Sequence, residues 1–260
     1  KIRILLPLLL LFSGLSLFAQ IAVKLEAPYP VYMKYDAVHV RVVLRNYTSH
    51  PIAFGSSKNL QGEILFKFDT VAHDRPAFGP LGASAPGEAR SFTFNLARYF
   101  SLQDEGLYSI RAVVRHPQLA APYESNETTF KIRPGQTIWK REIGLPDYSG
   151  KAADKVIQRR TYRLLTFSDG RNMYYCMMID DHDHVYAVRR IGFDIGSNLK
   201  PQLQIDSLAR FHIMVAVTPK VYAHYVYDHT GRLERRDVYI RTSSTPFLVL
   251  DPKTAEVTVD

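Results

Sequence analysis

The chain has 260 residues, which is enough for two domains of ordinary size, and its 46% hydrophobic and 22% charged residues exclude the disordered and fibrous classes. The formal charge is +8, but no run of basic residues is longer than a pair, which favours solubility over an acidic partner as the reason for the excess. Sixteen Tyr and fourteen Phe favour strands over helices.

The first 20 residues have the layout of a secretory signal peptide. Lys1 and Arg3 precede an apolar run over residues 4–12, and we expect cleavage near Ala19 or Gln20. The alternative is an uncleaved membrane anchor, although residues 4–18 are shorter than the roughly 20 residues that a span needs. We therefore expect an exported protein in the periplasm, at the cell surface or secreted, with membrane contact only through an uncleaved signal.

Export limits the expected partners and the expected covalent chemistry. Basic charge on an exported protein favours an acidic polysaccharide or an envelope protein as partner, and nucleic acid is not expected. The single cysteine, Cys176, cannot form an internal disulfide, so packing alone must stabilise the exported domains.

After the signal, short segments of alternating apolar and polar residues are separated by turn-forming residues. The predicted strands cover residues 21–26, 38–45, 51–54, 64–68, 91–96, 108–114 and 128–132. Residues 74–88 are rich in Pro, Gly and Ala and are predicted to be a loop between sheets. Six or seven short strands within about 115 residues indicate a Greek-key sandwich.

Residues 104–110 predict a turn that leads into a strand. Asp104 and Gly106 suit a tight turn, and Tyr108 and Ile110 then share the inward face. This spacing resembles the tyrosine corner of immunoglobulin-like (Ig-like) sandwiches, in which a Tyr two positions before the second cysteine donates its hydroxyl to the upstream backbone. Ile110 stands in the place of that cysteine. The resemblance implies an Ig-like Greek-key sandwich over residues 21–134.

Residues 36–115 also resemble the bacterial Ig-like domains of the intracellular proteinase inhibitor type. The matching pieces are residues 44–46 with 51–54, residues 86–88 before 92–94, and residues 106–108. The resemblance implies the fold, and inhibition is not carried over because an export signal contradicts an intracellular role. An inhibitor would need an exposed rigid loop, for which residues 74–88 are the candidate.

Residues 135–160 are predicted to be a linker, with a short helix over residues 152–160. Trp139, the only tryptophan, either pins two domains together or belongs to one core. Residues 161–260 predict a second antiparallel β domain built of hairpins. Its strands are expected at residues 164–167, 172–179, 185–191, 211–217, 221–227, 232–240, 247–250 and 257–259. A meander folded into a second sandwich fits the remaining length better than a propeller does.

The densest group of metal-ligand side chains is at residues 180–184, and we interpret it as a polar hairpin tip without a metal. Cys176 lies between Tyr175 and Met177 and is expected to be an inert core residue. His212, His224 and His229 lack metal-ligand spacing. No catalytic motif is recognised, so neither catalytic residues nor a cofactor are predicted.

The sequence predicts an exported, non-catalytic two-domain β protein that is a binding or structural module of the cell envelope. The alternatives are a secreted hydrolase or hydrolase-accessory domain acting on polysaccharide, with acid and base from residues 180–184 and nearby histidines, and a proteinase inhibitor-like Ig-domain protein.

The predicted binding surface combines flat aromatic rings with planar donors. Its residues are Tyr225, Tyr227, Arg235, Arg236 and Tyr239. Alternation places Tyr225 and Tyr227 opposite Tyr222 and His224, so one of the two sets must be core.

Overall fold

The computed structural model describes residues 20–54, 62–69, 75–76, 82–145, 158–196 and 199–260. Strand makes up 59% of the structure and helix 1%, in several antiparallel sheets, which confirms the all-β class. The predicted signal peptide, residues 1–20, lies outside the described residues except for Gln20. No helix in these ranges is long and apolar enough to cross a membrane.

The N-terminal half is a sandwich of two sheets. Its described strands are β1 (Ile21–Glu26), β2 (Val31–Met33), β3 (His39–Asn46), β4 (Ile52–Phe54), β5 (Glu63–Phe68), β6 (Arg75–Pro76), β7 (Gly82–Ser84), β8 (Ala89–Asn95), β9 (Gly106–Arg115), β10 (Tyr123–Glu124) and β11 (Thr128–Arg133), with a 3-10 helix at Leu96–Arg98. One sheet has the order β1-β3-β8, and the other has the order β2-β11-β9-β5-β6 with β10 also paired to β9. Beside them, β4 and β7 form a separate two-stranded sheet. Buried apolar side chains of both sheets form one core, in which the rings of Phe66 and Phe94 lie 5.2 Å apart. Each predicted strand of this half is confirmed. The loop predicted over residues 74–88 contains β6 and β7, and the rest of it before residue 82 lies outside the described residues.

The hydrogen bond predicted for the corner before β9 is confirmed. The Tyr108 hydroxyl donates to the main-chain carbonyl of Asp104 at 2.8 Å. The Tyr108 ring is buried and stacks on Phe130 of the neighbouring strand, with ring centroids 5.5 Å apart. Ile110, two residues later, is fully buried, so both side chains anchor the start of β9 in the core.

The C-terminal half contains two four-stranded meanders and a hairpin. Its described strands are β12 (Gln136–Gly144), β13 (Arg159–Ser168), β14 (Met173–Asp180), β15 (Val185–Phe193), β16 (Gln202–Ile205), β17 (Phe211–Thr218), β18 (Val221–Tyr227), β19 (Leu233–Ile240), β20 (Leu248–Leu250) and β21 (Val257–Val259). The sheets β12-β13-β14-β15 and β16-β17-β18-β19 pack face to face around buried residues that include Tyr162, Met177 and Phe211. This matches the expected second sandwich made of hairpins.

The prediction of a linker over residues 135–160 is wrong where the structure shows strands, at residues 136–144 and 159–160. Gln136–Gly144 forms β12 and pairs with β13, and the predicted helix is contradicted at residues 159–160, which begin β13; residues 152–157 lie outside the described residues. Trp139 stacks on Phe211 at 5.4 Å and therefore belongs to the C-terminal core. Most side chains of β12 are exposed, so it lacks the apolar alternation by which strands are recognised.

The sheet β12–β15 is covered on both faces. One face packs on the sheet β16–β19, and the other packs on the N-terminal sandwich in a cluster that contains Met33, Leu165 and Cys176. The hairpin β20–β21 covers the far face of the sheet β16–β19 through Leu248 and Val257. The molecule is therefore a stack of sandwich, sheet, sheet and hairpin.

Candidate functional site

The predicted binding residues lie on two opposite faces of the sheet β16–β19. Tyr225 pairs with Arg236, whereas Arg235 pairs with Val226 and Tyr239 pairs with Tyr222. Directly paired residues point to the same face and successive residues to opposite faces. Tyr225, Tyr227 and Arg236 therefore face the sheet β12–β15, while Arg235 and Tyr239 face the C-terminal hairpin. The five side chains do not form one surface.

Three of these five residues lie in a row along which solvent exposure falls from the surface to the core. The Arg236 guanidinium lies 5.5 Å from the Tyr225 ring centroid, and that ring stacks on Tyr227 at 6.2 Å. Arg236 is exposed, Tyr225 is half-buried and Tyr227 is buried. Only Arg236 and the exposed part of the Tyr225 ring can contact a partner, so this row alone offers a small binding surface.

A larger concave surface lies at one end of the sheet β12–β15. It is a cleft of about 980 Å³ beside the turn between β14 and β15, which is the turn that carries the group of acidic and histidine side chains at residues 180–184. Lys140, Arg160, Arg163, Asp180, Asp181 and Tyr186 are among its lining residues. Ligand sites are commonly concave and lined by a few convergent polar groups, so this cleft is a candidate site.

Arg160, Asp181 and Tyr186 form a closed triangle in this cleft. The Arg160 side chain is only 8% exposed, and its Nη1 donates to Asp181 Oδ2 at 3.3 Å. Its guanidinium carbon lies 3.7 Å from the Tyr186 ring centroid. The Tyr186 hydroxyl donates to the same Asp181 oxygen. Each side chain thus contacts the other two, so the Tyr186 ring is held in a fixed orientation.

The other oxygen of Asp181 is also engaged. Its Oδ1 accepts the main-chain N–H groups of Asp183 at 2.9 Å and His184 at 2.7 Å. The hydrogen bond from Tyr186 is the largest cause that lowers the pKa of Asp181, to about 2. Ligand atoms of Asp181, Asp183 and His184 lie within 4.8 Å of one another, but a cation would have to compete with four existing donors to Asp181. The absence of a metal here stays a prediction.

The charges of the cleft are nearly balanced. Three ion pairs line it, namely Arg159–Glu142 at 3.2 Å, Arg160–Asp181 at 3.3 Å and Arg163–Asp180 at 2.9 Å. Lys140 and Asp183 add one charge of each sign to the lining. The cleft therefore offers many hydrogen-bonding groups but no excess of positive charge.

A second cleft of about 580 Å³ continues from the first around Tyr186. Asp183 and Tyr186 line both, and the second cleft also includes Tyr35 and Asp36 of the N-terminal sandwich. Tyr35 is 42% exposed and has a φ of 67°, a left-handed conformation that costs a side-chain-bearing residue free energy. The Lys34 ammonium lies 5.3 Å from its ring centroid. Two exposed tyrosine rings thus line a groove between the halves of the chain.

A buried row of ionisable groups lies under the C-terminal hairpin. His212 Nε2 is 3.1 Å from Asp206 Oδ2, and His212 Nδ1 is 3.2 Å from His224 Nε2. Burial would raise the pKa of Asp206, but hydrogen bonds from His212 and Arg210 outweigh it and hold that pKa at about 2. Both ring nitrogens of His212 are used within the row, so neither is free to act on a substrate.

Sequence reasoning singled out the turn at residues 180–184 but missed Arg160 and Tyr186. Arg160 and Asp181 are on neighbouring strands, where the register pairs Thr161 with Asp180. The turn at residues 168–170 fixes this register, so a hairpin argument from that turn could have brought Arg160 to Asp181. In comparisons with known proteins, no family model matches the chain and no curated protein is significantly similar to it.

Proposed function

We propose that this chain is an exported, non-catalytic two-domain β protein that binds a polysaccharide at the cell envelope, in the groove around Tyr186. One observation carries the proposal: the Tyr186 ring is held by Arg160 and Asp181 at the meeting point of two clefts. A rigid, partly exposed aromatic ring surrounded by hydrogen-bonding groups suits a sugar ring, which has an apolar face and a polar rim. Export is supported by the signal-like residues 1–20.

The same contacts favour binding over hydrolysis. Glycoside hydrolysis uses one carboxylic acid that holds a proton and a second carboxylate that acts as base or nucleophile. Asp181 has a pKa of about 2, and Asp180 pairs with Arg163 at 2.9 Å. A general acid needs a raised carboxyl pKa, whereas the pKa of Asp181 is lowered. The hydrolase alternative therefore loses Asp181 as its general acid.

The N-terminal sandwich supports an Ig-like domain as the first module of such a protein. The sheet orders β1-β3-β8 and β2-β11-β9-β5, with a parallel pairing of β2 and β11, agree with an Ig-like topology. The hydrogen bond from Tyr108 to Asp104 agrees with a tyrosine corner. Proteins of many activities use such sandwiches, so this resemblance supports the architecture and not the ligand.

The charge balance of the first cleft favours a neutral, hydroxyl-rich polysaccharide over a polyanion. Its three ion pairs already neutralise most of its charges, so a polyanion would have to displace their carboxylates. An acidic polysaccharide would instead be expected at the exposed Arg236 beside Tyr225. The two ligand classes thus predict two different sites.

Affinity electrophoresis of the purified chain in gels with soluble neutral or acidic polysaccharides tests the proposal. A neutral polysaccharide should retard the chain, and Tyr186→Leu should weaken retardation at least about tenfold because a sugar-stacking ring is lost. Tyr186→Phe keeps the ring and its contact with Arg160 but loses the hydrogen bond to Asp181, so its retardation should lie between those of Tyr186→Leu and the wild type. Tyr47→Leu is the matched control, because Tyr47 is also exposed and also has an arginine, Arg45, 5.4 Å from its ring centroid.

The double variant Arg235→Ala with Arg236→Ala separates the two sites. It should leave the binding of a neutral polysaccharide unchanged. Retardation by acidic polysaccharide alone, lost in this double variant and kept in Tyr186→Leu, would place the ligand on β18–β19 and contradict the groove. Absence of retardation by every polysaccharide, or release of new reducing ends, would contradict the proposed function.

A further inference from the structure

β19 forms one edge of the sheet β16–β19, because in the described part of the chain β18 is the strand that pairs with it. It is eight residues long. Three apolar side chains on it are exposed: Leu233 by 47%, Val238 by 58% and Ile240 by 69%. An edge of this length with exposed apolar side chains is a template for a further strand.

The backbone of β19 points hydrogen-bonding groups outward at every second residue. The Arg241 N–H donates to the Lys220 carbonyl at 2.8 Å, so these two residues are a hydrogen-bonded pair, and such pairs recur at every second position of an antiparallel ladder. The next pairs toward the start of β19 are at Tyr239 and Asp237. The alternate residues Arg236, Val238 and Ile240 therefore direct their N–H and C=O groups away from β18.

We infer that β19 is a self-association edge, on which a second copy of this chain lays its own β19 antiparallel, with Val238 opposite Val238 of the second copy. In this register Arg236 of each copy lies opposite Ile240 of the other. All three outward-facing residues then pair with one another, which gives on the order of six main-chain hydrogen bonds across a two-fold axis. The two meanders become one continuous sheet.

The side chains fit this register better than one centred on Arg236. Val238 packs on its own copy, and Ile240 lies against the apolar stem of Arg236. A register centred on Arg236 would place two guanidinium groups directly opposite each other, which is destabilising. At the ends of the Val238-centred register Arg235 faces Arg241, but Asp237 lies 2.9 Å from Arg235 and offsets its charge.

The size of the contact sets its expected strength. One pair of edge strands buries less than the roughly 1,200 Å² of a standard stable interface, so the dimer should form reversibly as concentration rises. The inference does not depend on the proposed function, because the groove around Tyr186 belongs to the other sheet.

Sedimentation equilibrium of the purified chain over a wide concentration range tests self-association. The wild-type mass should approach twice the monomer mass. Val238→Pro removes an outward N–H without removing a bond to β18, and Val238→Lys places two ammonium groups at the axis. Both variants should remain monomeric at concentrations where the wild type dimerises. Leu107→Lys is the matched control, since Leu107 is also 58% exposed but lies on β9, and it should dimerise like the wild type.

Cysteine substitutions test the register. Two copies of Val238→Cys should form a disulfide-linked dimer under mild oxidation, because hydrogen-bonded pairs place Cα atoms about 5.5 Å apart. Ile240→Cys should not, because its opposite residue is Arg236, and the native Cys176 is buried and does not compete. A wild-type monomer at every concentration, a dimer that survives Val238→Lys, or equal cross-linking of Ile240→Cys would each overturn the inference.

Discussion

The guanidinium of Arg190 lies 4.6 Å from the ring centroid of Tyr29, and this contact joins β15 to the N-terminal sandwich. The same guanidinium lies 3.3 Å from the Asp36 carboxylate and 4.8 Å from the Tyr174 ring centroid. The Arg190 side chain is 21% exposed, so these contacts are partly shielded from water. One side chain therefore contacts both halves of the chain through charge and through stacking.

Arg190→Ala should lower the free energy of unfolding by about 2 kcal/mol, because it removes a partly shielded ion pair and three cation–π contacts, with Tyr29, Phe167 and Tyr174. Arg190→Lys should recover less than half of this loss, since an ammonium group keeps the charge but not the planar stacking. Urea unfolding of the whole chain measures both. Arg189→Ala is the control, because Arg189 is exposed, and it should change the free energy of unfolding little. Equal stability of wild type and Arg190→Lys would contradict the role of stacking.

Tyr108→Phe should lower the free energy of unfolding by about 1 kcal/mol, because the hydrogen bond to the Asp104 carbonyl is lost while the buried ring remains. Ile110→Ala should cost about 2 to 4 kcal/mol, because it leaves a cavity in a fully buried position. Urea unfolding of the whole chain checks both values. Unchanged stability of both variants would contradict the anchoring of β9 at this corner.

Acid should destabilise the chain between about pH 6.5 and pH 4 through His224. Burial, followed by the nearby His212, lowers the pKa of His224 from 6.5 to about 4. The unfolded state binds a proton to this residue below about pH 6.5 and the folded state does so only near pH 4, so stability present at neutral pH is lost as pH falls through this window. A shift of this size corresponds to about 3 kcal/mol.

Thermal or urea unfolding at several pH values measures this dependence. His224→Gln should flatten the curve between pH 6.5 and 4, whereas His39→Gln, at an exposed position of β3, should leave it as in the wild type. The pKa of Asp206 is about 2, so this residue changes stability only at lower pH. A His224→Gln curve parallel to that of the wild type would show that another group dominates.

Gly231→Ala should strongly destabilise the turn between β18 and β19. A Cβ at Gly231 would lie 2.1 Å from the Cβ of Ala187 on β15, and its φ of 81° is also unfavourable for alanine. Gly87→Ala is the matched control, because Gly87 has a φ of 75° and open space around the added Cβ. We expect about 1 kcal/mol of destabilisation for Gly87→Ala and at least about 3 kcal/mol for Gly231→Ala. Equal losses in calorimetric melts would contradict a contact of this turn with β15.

Strands with one buried face could be predicted from the sequence because their signal is local. In β3, exposed and buried side chains alternate in the structure as apolar and polar residues do in the sequence. β2 and β12 were missed for a physical reason. β2 has only three residues, and β12 is stabilised by its pairing with β13 while most of its side chains remain exposed.

Which residues share a face of the predicted binding surface depends on a β-bulge, and the alternation of the sequence does not reveal this bulge. A bulge between Val226 and Tyr227 shifts the pairing of β18 and β19 by one residue. Without it, the pairing of Tyr227 with Leu233 would continue and place Arg235 beside Tyr225. With it, Arg236 lies beside Tyr225 and Arg235 points to the other face. Residues that meet across strands, such as Arg160 and Asp181, likewise require the register and not the alternation alone.

Because Cys176 is the only thiol of the chain, its rate of chemical labelling can report how often the contact between the two halves opens. It is fully buried in the cluster that joins the two halves, and burial raises its pKa to about 12. A thiol reagent needs an accessible thiolate, so Cys176 can react only after the cluster around Met33 opens. When the reagent is in excess, the labelling rate equals the rate at which this cluster opens. Comparing that rate with the rate of global unfolding would show whether the two halves part before either one melts.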